Sequence, residues 1–95
     1  MLRDITYGLD YLRQRRIVHR DFKMENILIR VNGDQKEYVI SDFGLAVWIG
    51  ESNPLFERCG TPGYIAPEVL NAPKGKPILN HKIDIFSLGA IAHVV

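Results

Sequence analysis

The stretch HRDFKMEN, residues 19–26, sets six polar or charged side chains into eight positions. It lies between the apolar pair Ile17-Val18 and the run Ile27-Leu28-Ile29, both of which read as buried. Charge in such a place is explained when buried strands hold a polar loop rigidly and leave its side chains reachable. The loop supplies His19, Arg20 and Asp21, then Lys23 and Asn26, and sixteen residues beyond Asn26 comes Asp42-Phe43-Gly44.

Outward from this loop, Leu2, Ile5, Leu9 and Leu12 recur at three- and four-residue spacing and predict a helix to about Gln14. Arg13, Arg15 and Arg16 gather near its end, where cations complement the negative pole; a nucleic-acid patch is the other reading. On the far side, Ile27 to Arg30 and Glu37 to Ile40 flank Asn32-Gly33-Asp34, strong turn chemistry, and predict a β-hairpin. Leu45 to Ile49 is expected to be a third extended piece. From Gly50 to Pro77, five prolines and four glycines predict a long irregular segment, broken by a short helix near Ala66 to Asn71. The last segment, KIDIFSLGAIAHVV from Lys82, is apolar nearly all round, so as a helix it calls for burial on every side. Nothing before it is large enough to surround it, and the expectation is a piece of a larger domain.

At 95 residues and 46% hydrophobic, the chain has the size and composition of one small globular domain. Twelve Lys and Arg against eleven Asp and Glu leave a charge of +1, so no global field draws in nucleic acid or an anionic membrane. The single cysteine, Cys59, excludes an intrachain disulfide, and the three histidines have no metal-ligand spacing with it. An intracellular, reducing setting is expected, cytoplasmic or nuclear. The start lacks a signal-peptide core, and no apolar run approaches the roughly 20 residues of a membrane helix. A soluble protein is the expectation.

In their order, HRDFKMEN, SDFG (41–44), GTPGYIAPE (60–68) and DIFSLG (84–89) resemble the catalytic domain of eukaryotic protein kinases, over essentially the whole chain. Five fixed positions in the first motif alone arise by chance about once per few million windows. The four look like the catalytic loop, the metal-binding motif, the end of the activation segment and the start of the central buried helix. The resemblance implies an α+β, protein-kinase-like fold: a partial C-terminal lobe over residues 1–95, mainly helical, with a small β-hairpin and a long activation segment. The N-lobe and distal C-lobe helices would be absent. It further implies, for the complete protein, a Ser/Thr kinase that moves the γ-phosphate of ATP, with Mg²⁺, to protein hydroxyls.

Phosphoryl transfer asks a protein mainly for positioning and charge neutralisation. By resemblance, Asp21 accepts or orients the proton of the substrate hydroxyl. Lys23 sits against the transferring phosphate, and with Thr61 it points to Ser/Thr rather than Tyr substrates. Asn26 and Asp42 resemble the hard oxygen ligands of Mg²⁺ on the ATP phosphates. Leu28, inward-facing by alternation, resembles the side chain beneath the adenine ring, or is an ordinary core leucine. His19 and Phe43, beside Gly44, resemble links of the stack joining two lobes. Asp84 resembles the buried carboxylate that accepts hydrogen bonds from the loop backbone, and Glu68 normally pairs with an arginine further along than this sequence reaches.

Phe22 stands where Leu is common and Met24 where Pro is common, which predicts altered loop stiffness rather than lost chemistry. Glu25 resembles a position that favours basic residues in a substrate. Glu57 stands where many relatives carry a phosphorylated Thr; its single charge would give Arg20 a permanent, weaker partner, or it is a solvated glutamate. Between Gly44 and Thr61 the only hydroxyl is Ser52. Cys59 reads as an inert thiol rather than a redox site. Nothing matches the Gly-rich loop or the strand lysine of the nucleotide clamp, so the 95 residues alone are expected to transfer no phosphate. Besides a protein substrate and the missing lobe segments as partners, two alternatives stay open. One is a non-catalytic interaction fragment or truncated gene product. The other is nucleic-acid binding through Arg13, Arg15, Arg16, Arg20 and Lys23.

Overall fold

A computed structural model describes residues 1–49, 54 and 58–94. Helix α1 (Leu2–Gln14) forms where the apolar spacing predicts it, burying Ile5, Leu9 and Leu12 and leaving Leu2 exposed. Asp4 in its first turn and Arg13 in its last suit the helix dipole. Arg13 reaches back to Asp10 at 2.8 Å, and the Arg15 guanidinium lies over the Tyr11 ring, 4.4 Å from its centroid. The solvated, dipole-matched terminus is thus what forms.

Strand β1 (Ile17–Val18) leads into the polar loop, which closes in a 3-10 turn at Met24–Asn26. Strands β2 (Ile27–Asn32) and β3 (Gln35–Ile40) pair from Ile27↔Ile40 to Asn32↔Gln35, so that Gly33-Asp34 is a two-residue turn. Gly33 has φ of 63°, the left-handed value such hairpin turns favour. One expectation fails here: Leu28, Ile29 and Val31 are 53%, 56% and 63% exposed. The run after the loop is therefore not buried, and Leu28 does not face inward in this chain. The physical reason is that a two-stranded ribbon needs a partner on its face. The core reaches only its base, through Ile27, Tyr38 and Ile40, and Asp4 on α1 grips it by accepting the Tyr38 N–H at 3.1 Å.

Of the extended piece expected at Leu45 to Ile49, only β4 (Val47–Trp48) is strand. It pairs antiparallel with β1, Ile17↔Trp48 and Val18↔Val47, rather than with the hairpin. Leu45 instead forms a turn together with Gly44, closed by the Ala46 N–H on the Phe43 carbonyl at 3.0 Å.

Two apolar clusters hold these parts together: Ile5, Leu9, Leu12, Phe22 and Ile91, and Val18, Ala66, Val69 and Ile83. Phe22 is fully buried. The aromatic ring in the middle of the polar loop is thus a core residue, which pins the loop from below. Helix α2 (Pro67–Leu70) is the short helix expected, with Pro67 at its start. Helix α3 (Lys82–Val94) buries Ile83, Asp84, Ser87 and Ile91 but leaves Ile85 and Phe86 50% and 41% exposed. Its burial is one-sided: among the described residues, α1, the polar loop with Val18 and Phe22, and the segment around Ala66 and Val69 pack on one face. None of the described helices is long and apolar enough to cross a membrane.

Candidate active site

The polar loop hangs from one buried carboxylate. Asp84, on the first turn of α3 and 3% exposed, accepts the His19 N–H at 2.7 Å and the Arg20 N–H at 3.1 Å. Burial pushes its pKa above the ordinary carboxylate value, against the opposing pull of those two N–H bonds. A carboxylate in an apolar helix is costly unless satisfied, and this one satisfies two backbone donors that the loop leaves without a strand partner. The loop's conformation requires that help: Arg20 has φ of 74°, a left-handed value rare for a side chain of its size.

Four further bonds, helped by one within the loop, tie it to the segment around Asp42. The Asp21 N–H donates to His19 Nδ1 at 3.2 Å, which leaves Nε2 to donate to the Ser41 carbonyl at 2.8 Å. The Asn26 carbonyl accepts both the Ser41 N–H at 2.8 Å and the Ser41 hydroxyl at 2.9 Å. Arg20 Nε donates to the Leu45 carbonyl at 2.8 Å. Asp42 is therefore fixed one residue from the Ser41 clamp, exposed, at φ of 59°, with Oδ1 accepting the Gly44 N–H at 3.3 Å. Left-handed backbone at both Arg20 and Asp42 is the kind of strain that persists where surroundings over-determine a functional geometry.

Two side chains of the loop, Asp21 and Lys23, form a hydrogen-bonded chain with Thr61. Thr61 donates its hydroxyl to Asp21 Oδ1 at 2.8 Å and accepts from Lys23 Nζ at 2.7 Å. Lys23 Nζ lies 3.7 Å from Asp21 Oδ2. Asn26, 6% exposed, donates its amide to the Asp21 carbonyl at 2.7 Å, and that bond leaves its Oδ1 for another partner. The carboxylate and the ammonium are thus held by charge-assisted bonds through Thr61, and the Asn26 amide by a neutral bond to the loop backbone.

Most of the residues singled out from sequence meet here: His19, Arg20, Asp21, Lys23, Asn26, Asp42, Phe43, Gly44, Thr61 and Asp84. Phe43 stands against His19, ring centroids 5.0 Å apart. Leu28 is set apart by its exposure on the hairpin. Glu68 is exposed on the first turn of α2, and Glu57 and Ser52 lie outside the described residues. Cys59 is half-buried, and burial raises its thiol pKa, in keeping with an inert thiol. The cations offered for nucleic acid do not make one patch, since Arg20 is buried and Lys23 is bound to Thr61. Two residues that sequence reasoning passed over are Ser41, the clamp between the two loops, and Asp4, which grips β3. Ser41 stood inside a quoted motif; nothing local distinguishes Asp4 from any acidic residue of a first helical turn.

Among the described residues no group of three or more His, Cys, Asp or Glu is placed to hold a metal ion. The donors available to a cation are mixed: the Asp42 carboxylate and the Asn26 amide oxygen, both hard. Such a set fits Mg²⁺ that brings further oxygen ligands with it, from water or phosphate, rather than an ion caged by protein alone.

The protein kinase domain family model matches residues 1–95. The chain is 38% identical over 95 residues to myosin light chain kinase A of Dictyostelium discoideum, covering 100% of this chain and 31% of that protein. It is 38% identical over 96 residues to calcium/calmodulin-dependent protein kinase type 1 of Macrobrachium nipponense, covering 100% of this chain and 26% of that one. Human NUAK family SNF1-like kinase 2 is 40% identical over 93 residues, 98% of this chain and 14% of its own length. The chain therefore spans between about a seventh and a third of the length of these relatives.

Proposed function

We propose a function from one premise: this chain belongs to the protein kinase family. The whole protein that contains it is a Ser/Thr protein kinase, of whose catalytic domain residues 1–95 are a part. The family generally uses ATP and Mg²⁺, and its substrates are proteins.

In this reading Asp21 receives the substrate hydroxyl. With Oδ1 held by Thr61, its carboxylate is aimed and takes or orients the proton as the hydroxyl attacks. Lys23 lies beside the same carboxylate, 3.7 Å away, and reaches the phosphate as negative charge shifts between oxygens. Asn26 and Asp42 would hold Mg²⁺, which supplies neutralisation of the phosphate charge. The Ser41 clamp keeps those two ligands at a constant spacing, and Asp84 keeps the loop backbone from relaxing. Positioning of this kind is where most catalytic advantage in phosphoryl transfer arises. Glu57, as a fixed charge in place of a phosphorylated Thr, belongs to the same proposal; a Glu57→Gln protein with unchanged activity would remove it.

The observation that carries the reading is the Lys23–Thr61–Asp21 chain, two catalytic-type charges joined through a hydroxyl from a distant segment. Its test is transfer of labelled phosphate from ATP to Ser and Thr peptides by the complete protein. Asp21→Asn should lower turnover by about a hundredfold or more while nucleotide binding persists. A complete protein with no transfer, or with transfer indifferent to Asp21→Asn, would contradict the reading.

A further inference from the structure

The surface on either side of Thr61, over residues 58–82, is cationic in a chain that is otherwise near neutral. Residues 58–82 carry Arg58, Lys74, Lys76 and Lys82 against a single carboxylate, Glu68. All five are exposed. The Arg58 guanidinium donates to the Ala72 carbonyl, which draws the segment just before Thr61 against the end of α2. Immediately after Ala72, a turn closed by the Lys76 N–H on the Pro73 carbonyl at 3.0 Å, with Gly75 at φ of 82°, presents Lys74 and Lys76. One bond therefore gathers three cations from two segments onto one rim. None of the three enters a salt bridge among the described residues, and the bond to Ala72 leaves Arg58 with further N–H donors.

This rim adjoins the acceptor site. Arg58 precedes Thr61 by three residues, and between them Gly60 packs so closely on the loop that a Cβ there would stand 3.2 Å from the Arg20 carbonyl. A hydroxyl brought to Asp21 comes up beside Thr61, which is bonded to that carboxylate, and Arg58, tied to Ala72 just before the Lys74–Lys76 turn, stands three residues from Thr61.

We propose that Arg58, Lys74 and Lys76 form a specificity rim that selects protein substrates with Asp or Glu on one side of the acceptor hydroxyl. The inference rests on the phosphoryl-transfer reading above and names the substrate class of that same site. Each exposed charge pair multiplies affinity by a factor of about 2 to 5, so two or three together give a preference of about tenfold, screened by salt.

The test uses the complete protein and Ser peptides of otherwise neutral sequence, with Asp, Asn or Lys scanned through the positions on each side of the acceptor. Asp is expected to raise kcat/KM about tenfold over Asn at positions on one side, through KM, and salt of about 0.5 M is expected to erase the gain. Arg58→Gln would also loosen the loop, so the charge reversal Lys74→Glu with Lys76→Glu, on an exposed turn, carries the test. It should bring the Asp-to-Asn ratio to one or below and favour the Lys peptides. Equal kcat/KM for Asp and Asn peptides at every position overturns the proposal, and so does an Asp preference that survives the reversal. If no peptide is phosphorylated, the phosphoryl-transfer reading fails, and peptide binding followed by fluorescence anisotropy decides the rim by itself. Tighter binding of Asp than Asn peptides, lost on reversal, supports it; equal binding overturns it.

Discussion

Thr61 donates its hydroxyl to Asp21 across a sequence separation of 40 residues, at 2.8 Å. The bond joins the segment that would face a substrate to the carboxylate that would receive the substrate's proton. Because Thr61 also accepts from Lys23, its hydroxyl keeps two opposite charges oriented. Thr61→Val should lower kcat of the complete protein about 10- to 100-fold, the worth of a hydrogen bond to a charged group, while Thr61→Ser keeps most of it. Steady-state kinetics check this, and equal losses in the two variants would contradict it.

Asp84 gives a pH dependence with a definite sign. Burial raises its pKa above 3.8, so the folded protein holds this proton more firmly than the unfolded chain does. The stability this group contributes is full below pH 3.8 and is lost as pH rises through the raised folded value. Asp84→Asn removes the titration and leaves one acceptor oxygen for the His19 and Arg20 N–H groups. The stability of wild type minus variant should be largest in acid and fall to a lower plateau toward neutrality. Urea unfolding at a series of pH values measures it; a difference that grows with pH is the contrary result.

Gly60 is required by both backbone and space. Its φ is 129°, and a Cβ would meet Ile65 Cγ1 at 2.9 Å as well as the Arg20 carbonyl at 3.2 Å. Gly60→Ala should cost about 1–3 kcal/mol, with faster amide exchange over residues 58–65. Unchanged exchange there would mean that the segment does not rest on the loop.

Asp4 is the grip of α1 on the hairpin. Asp4→Ala leaves the Tyr38 N–H without its acceptor and should cost about 1 kcal/mol, whereas Asp4→Asn, which keeps an oxygen, costs less. Hydrogen exchange at Tyr38 distinguishes the two, and equal exchange in both would remove this role.

How much of this was legible in the sequence follows physical lines. Residues whose role is set by local chemistry could be read directly: the apolar spacing of α1, the Gly33 turn and the order of the charged motifs. Thr61 and Asp84 were read through motif resemblance, although their partners lie 40 and 65 residues away. Burial was read less well. Leu28 and Ile29 look like core residues by composition, but apolar character does not say whether a neighbouring element exists to cover them, and here only the base of the hairpin is covered. Leu45 to Ile49 looked extended throughout, yet pairing with the two-residue β1 limits β4 to Val47–Trp48. Phe22 was read as a matter of loop stiffness, because nothing local shows that the core lies directly beneath the polar loop. Ser41 and Asp4 act through backbone groups, which carry no sequence signature at the accepting or donating end.

The central claim is that Asp21, Asn26 and Asp42 serve one magnesium-nucleotide site at the base of the hairpin. The most direct measurement is paramagnetic broadening in the complete protein, with Mn²⁺ and ATP replacing Mg²⁺ and ATP. Signals from residues 21, 26 and 42 should broaden together, and Asp42→Asn should abolish the effect at all three. Broadening near Asp42 alone, or at residues remote from all three, would contradict the account.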